Sequence, residues 1–210
     1  MRIRLAIFLT LVAATNAGAD EATTDALAEL RHAWAEVYYQ TPEERQAAQF
    51  PALTARIDAI IAQHPAEAEP LILKAIILST YAEAKGGLGA LPLVESARDA
   101  ALQAAKIDDR ALDAGAYTVL GALYYKVPGW PIGFGNNRKA REYLDQALAI
   151  APEAIDVNYF TGDFLLEHGD KTKAKAFLQK ALAAPARPGR ADEDAGRRKE
   201  IQADLAKLDG

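Results

Sequence analysis

The segment Ala97-Arg-Asp-Ala-Ala-Leu-Gln-Ala-Ala-Lys-Ile-Asp-Asp109 lies over Ala140-Arg-Glu-Tyr-Leu-Asp-Gln-Ala-Leu-Ala-Ile-Ala-Pro152 without a gap. Ala97/Ala140, Arg98/Arg141, Gln103/Gln146, Ala104/Ala147 and Ile107/Ile150 coincide, and Ala174–Pro185 is a third copy. A chain that repeats in this way is confined to folds made by stacking one unit, because a single unit cannot bury its apolar face alone. Each copy reads as a helix with Ala where another helix must come close.

The segments ahead of the copies match as well. Gly162, with Asn158 and Leu165, precedes Ala174; Gly121, with Tyr117 and Tyr124, precedes Ala140; Ala75, with Leu71 and Leu78, precedes Ala97. A small residue in a first helix, an Ala–bulky–Ala pattern in a second and a closing Pro resemble the tetratricopeptide repeat (TPR), a helix–turn–helix unit. The chain departs from that pattern at Asn158 and Leu71, where an aromatic is usual. The resemblance implies an all-α fold, a TPR-like helical solenoid of about three helix–turn–helix units at 53–109, 111–152 and 153–185. Helices A and B of the two earlier units are joined by enlarged turns.

The ends of a solenoid need covering. Pro185-Ala-Arg-Pro-Gly-Arg190 breaks the chain, and the segment 192–208 puts Ile201, Leu205 and Leu208 on one face with charged residues behind, which predicts a capping helix with a polar back. At the other end Thr23–Tyr39 has Leu27, Leu30, Trp34, Val37 and Tyr38 at helical spacing, with Thr24 as its candidate N-cap. Thr41-Pro-Glu-Glu reads as a capped helix start with Pro in the first position, and Phe50-Pro51 as an interruption.

Residues 1–19 read as a signal peptide. Arg2 and Arg4 precede the apolar run Leu5–Ala14, and Ala17-Gly-Ala19 offers a cut ahead of Asp20. The apolar run is half the ~20 residues a spanning helix needs. This predicts a periplasmic or secreted protein of one domain, 20–210, with no membrane contact after cleavage. The chain has no Cys, so neither a lipid attachment there nor a disulfide is available. Without the two leader arginines, 22 Lys+Arg stand against 29 Asp+Glu, a net charge near −7. That balance argues against nucleic acid, whose binding rests on a basic face, and against an anionic membrane.

Catalytic patterns are missing. His32, His64 and His168 lie on separate elements with no metal-binding spacing, and the last two suit helix C-termini. Ser79 and Ser96 lack a nucleophile-elbow context, and Gly133-Phe-Gly135 lacks the Lys-Ser/Thr of a phosphate loop. No enzyme, cofactor or metal is expected.

The informative residues lie in the two enlarged turns. In Lys85–Pro92, Leu88 and Leu91 are expected to tuck onto helix ends. In 126–137, two prolines and three glycines forbid regular helix, yet Trp130, Ile132 and Phe134 are apolar. Trp130 and Phe134 have two readings: staples that fix the turn to its helices, or recognition groups supported by Tyr125 and Asn137. Asn136 is the expected cap of the next helix. In TPR solenoids helix A lines the concave groove, and the resemblance carried onto this chain gives Lys74, Tyr81, Thr118, Tyr125, Tyr159 and Asp163. Tyr117, Leu120, Tyr143 and Leu144 fall at packing positions, whereas Arg98 and Arg141 read as solvated or paired on the convex face.

Pro128-Gly-Trp-Pro-Ile-Gly-Phe-Gly135 ahead of Ala140–Leu148, together with the leader, gives a narrower resemblance to exported TPR proteins associated with TRAP-type solute uptake. Those are often lipoproteins, whereas this chain has no Cys to carry a lipid. The resemblance implies a helper that contacts a periplasmic solute-binding protein or its hydrophobic ligand. The expected function is a non-catalytic module binding a protein or peptide through its groove and inserted loop. The alternative is a carrier for a small, partly apolar ligand.

Overall fold

Two glycines set how closely the helices pair. A Cβ on Gly121 would lie 2.7 Å from the Leu144 side chain, and one on Gly162 2.9 Å from that of Leu178. Ala140 and Ala174 on the partner helices, and Ala97 at the matching place in the second helix of the preceding unit, have no solvent exposure. Small residues on both partners let each helix pair approach until the larger side chains interlock.

The computed structural model describes residues 13–209, with side chains from 23 to 208. Among the described residues the helices are α1 (Ala13–Gln40), α2 (Glu43–Gln63), α3 (Ala68–Lys85), α4 (Leu91–Ile107), α5 (Ala111–Lys126), α6 (Asn137–Ile150), α7 (Ile155–Glu167), α8 (Lys171–Ala183) and α9 (Ala191–Asp209). A short 3₁₀ turn, Leu88–Ala90, precedes α4. The pairs α3/α4, α5/α6 and α7/α8 are antiparallel hairpins, and α1/α2 adds a fourth ahead of them. Most of the leader lies outside the described residues; α1 runs through the candidate cut ahead of Asp20.

The first helices of the hairpins neighbour one another in order, α1 to α3 to α5 to α7, and α9 follows α7. Helix α9 also touches α1, so this inner layer closes into a ring with α2, α4, α6 and α8 outside. The two terminal helices therefore cover each other instead of capping opposite ends.

Several local expectations are corrected. Thr24 lies inside α1 and does not cap it. Pro42 is itself the N-cap of α2, with Glu43 and Glu44 in the first turn. Phe50-Pro51 does not interrupt that helix: Pro51 is exposed on its outer side while Phe50 is fully buried and stacks on Tyr81, with ring centroids 5.5 Å apart. Residues 53–63 are thus the second half of α2. Helix α9 keeps an exposed polar back at Lys199, Gln202 and Lys207, but Glu193, Asp194, Arg197 and Asp204 are buried, so its charged residues are not all solvated. Ile201 packs with Leu205 and Leu208 as expected.

Helix α5 opens irregularly. Leu112, Asp113 and Ala114 have φ of 50, 56 and 59°, one left-handed turn before the regular helix starts. Gly115 follows because a Cβ there would meet Ile72 at 3.0 Å.

Candidate functional site

Closing the ring turns the concave face into a cavity of about 780 Å³. Its apolar wall comes from α3 and α5, through Ile72, Ile76, Val119 and Leu123, and from Leu88 and Ile132 of the enlarged turns. Its polar wall comes from α1, α7, α9 and the turn ahead of α9, through Tyr38, Tyr39, Asp156, Arg187, Arg197 and Glu200.

The polar wall is one network. Asp156 accepts from Arg197 at 2.8 Å and from Arg187 at 2.6 Å, and Arg187 also donates to Asp194 at 2.6 Å. Arg197 donates to Glu200 at 2.6 Å and lies over the rings of Tyr159 and Phe160, 4.3 and 4.7 Å from their centroids. Burial by itself would raise the Asp156 carboxyl, but Arg197 and Arg187 outweigh it and hold the group well below the usual carboxylate range. Burial pushes Glu200 up against the pull of Arg197. The Tyr38 and Tyr39 hydroxyls donate to Glu200 at 3.3 and 3.4 Å, bridging α1 to α9. Burial raises both phenols, so they stay protonated donors. Beside them His32 meets Asp192 at 2.5 Å, and the Tyr39 ring fills the space a Cβ on Gly196 would need.

The enlarged turn 127–136 folds back onto the end of α5. Gly135 donates to the Pro128 carbonyl at 3.0 Å and Asn136 to that of Tyr124 at 2.7 Å. A Cβ on Gly135 would sit 1.9 Å from the Val127 carbonyl oxygen, so only glycine fits there. Asn136 caps α6 through the Lys139 amide at 3.0 Å.

This geometry separates the two aromatic residues of the turn. Phe134 packs edge-on against Tyr124 at 5.2 Å, under the Arg98 guanidinium at 4.6 Å, and is a staple. Trp130 is 91% exposed. Leu88 is also exposed rather than tucked in: it opens a 3₁₀ turn entered through Gly86 and Gly87, both at positive φ. Asn137 is the exposed first residue of α6. Tyr125 is buried and donates to Asp163 at 2.7 Å. Asp163, Tyr159 and Thr118 line the cavity; Tyr125, Trp130, Phe134 and Asn137 do not. Lys74 faces α2, paired with Asp58 at 2.6 Å, and Tyr81 faces Phe50.

Arg98 and Arg141 are not simply solvated: they cover Phe134 and Phe164. His64 and His168 end α2 and α7, His64 meeting Thr23 at 2.7 Å. No group of three or more potential metal ligands occurs among the described residues. The α9 wall escaped the sequence reading; its signal was three arginines interleaved with acids after a Pro-Gly break, together with the Tyr38-Tyr39 pair.

Residues 132–193, from the enlarged turn through α6, α7 and α8 into α9, match the family model of the tetratricopeptide repeat. Over that segment the chain is similar to tetratricopeptide-repeat proteins. A thermophilic TPR protein of Thermus thermophilus, known from its crystal structure, is similar over 79% of this chain and 88% of that one, at 22% identity and a TM-score of 0.51. That likeness shows the shared TPR fold. No curated protein matches. TPR domains are in general protein-interaction modules without catalysis of their own.

Proposed function

We propose that the protein is an exported, non-catalytic binding module in which the closed TPR ring holds a small, partly apolar guest. The observation that carries this is the contact of α9 with α1. It converts an open groove, which would take a folded partner, into a cavity of about 780 Å³, within the usual ~300–1,000 Å³ of small-molecule sites. One wall is apolar and the other a satisfied polar network, which suits a guest with an apolar body and a polar end. Export to the periplasm is supported by the leader-like residues 1–19.

The second reading is a protein or peptide partner in the periplasm, such as a solute-binding protein. TPR domains generally bind protein partners, and this favours it.

The test is uptake of Nile red by the full chain beside Ala122→Trp, which fills the cavity from α5. Saturable binding lost in the variant is the expected result. Absence of dye binding, or equal binding by both proteins, discards the guest reading and turns the search to peptides.

A further inference from the structure

Two neighbouring turns on one edge of the ring present apolar side chains to solvent. Leu88 is 78% exposed, Trp130 91% and Ile132 57%. Leu88 and Ile132 also line the cavity, so this edge is where the interior reaches the surface. Trp130 makes no hydrogen bond or ring contact among the described residues, so its indole is not needed for the fold.

Along the chain, the stretch that holds the second turn differs in charge from the whole. Residues 114–141 contain no Asp or Glu and carry Lys126, Arg138, Lys139 and Arg141, in a chain of net charge −5. Lys85 opens the other turn. Lys126 pairs with Asp163 and Glu167, and Arg138 with Glu142. Arg141 covers Phe164. Lys85 and Lys139 lie only over the rings of Tyr81 and Tyr124, which leaves their charge available.

We propose that this edge seats on the surface of an anionic lipid bilayer, with Trp130 at headgroup depth and the cavity mouth facing the lipid. An indole has an apolar body and one polar N–H, the combination that places Trp at membrane–water interfaces. Cations beside it add attraction to anionic headgroups within a Debye length. The acidic average of the chain conceals this local field. A protruding indole on an edge that also carries Leu88, Ile132 and two lysines without an ion pair fits a bilayer better than a protein face, where aromatic anchors fill pockets. Among the described residues no helix is long and apolar enough to cross a membrane, so contact is peripheral.

The test follows tryptophan emission of the full chain on adding phosphatidylglycerol or phosphatidylcholine vesicles. The chain has two Trp, and Trp34 is already buried, so a blue shift reports Trp130. The expected result is a shift with phosphatidylglycerol, absent with phosphatidylcholine, reversed by high salt and abolished in Trp130→Phe. Lys85→Gln/Lys139→Gln should weaken the apparent partition by more than about tenfold, from roughly fivefold per cation. No shift with anionic vesicles, a shift retained in Trp130→Phe, or equal response to both lipids overturns the proposal. A Trp130 shift produced by a purified protein partner but not by vesicles also overturns it. Nile red uptake is read separately, so failure here leaves the cavity reading standing, and the reverse.

Discussion

The Tyr125 hydroxyl donates to the Asp163 carboxylate at 2.7 Å, joining the end of α5 to α7 inside the ring. Lys126 holds the same carboxylate at 2.7 Å, so the acid is shared by two consecutive residues of one helix. Tyr125→Phe removes one bond to a charged, buried group and should cost about 1.5 kcal/mol. Thermal unfolding should shift down by roughly 3–6 °C for a chain of this size. No shift would mean that Lys126 alone satisfies Asp163.

The two aromatics of the enlarged turn should behave oppositely. Phe134→Ala loses an aromatic contact and the packing beneath Arg98, about 1.5–2 kcal/mol. Trp130→Ala should stay within about 0.5 kcal/mol, as exposed substitutions do. Denaturant midpoints of both variants check the division of roles, which equal losses would refute.

Asp156 makes stability pH-dependent. Arg187, Arg190 and Arg197 face it, and its folded carboxyl titrates below the ordinary value. Its contribution is therefore complete above about pH 4, the unfolded value, and is lost as pH falls below that toward the folded one. Asp156→Asn should lose about 3 kcal/mol at pH 7, as when a buried pair is broken, and show a flatter decline below pH 4. Glu200, raised by burial, acts with the opposite sign, so the comparison is variant minus wild type. Parallel acid limbs in the two proteins would refute the assignment.

A side chain at Gly196 would collide with the Tyr39 ring, 2.3 Å from the added Cβ. Gly196→Leu should part α9 from α1 and open the cavity. Amide exchange across 192–200 should accelerate and the radius of gyration should grow in solution scattering. Unchanged exchange would mean that α9 adjusts without release.

The left-handed turn at 112–114 carries strain in three residues that have a Cβ, roughly 1–2 kcal/mol each. Asp113 is exposed, so Asp113→Gly should raise stability by about 1 kcal/mol, seen as a higher denaturant midpoint. A fall would show that its carboxylate does more than the strain costs.

What was legible in the sequence is what local pattern encodes. Ala97, Ala140 and Ala174 gave the repeat because each must admit a neighbouring helix, and Asn136 was readable as a cap from its place before a helix. Phe50-Pro51 misled because a proline on the outer side of a helix, beside a fully buried Phe, bends to packing. The cavity wall was hidden for a different reason. Arg187 looks like any turn residue, and Arg197 and Glu200 like any solvated helix face, until α9 is brought against α7 and α1, and that contact joins residues about 160 positions apart. No window along the chain contains it.

That long contact bears on how the molecule forms and comes apart. All other helix packing among the described residues joins helices adjacent or next but one in sequence, which costs little loop-closure entropy and can propagate hairpin by hairpin. Joining α9 to α1 instead requires the whole arc to have the right curvature first. The clasp is thus the last interface to assemble and the first to yield, a sub-global opening cheaper than unfolding. The speed at which the interior exchanges its contents would then be set by the lifetime of a handful of tyrosine, glutamate and arginine contacts.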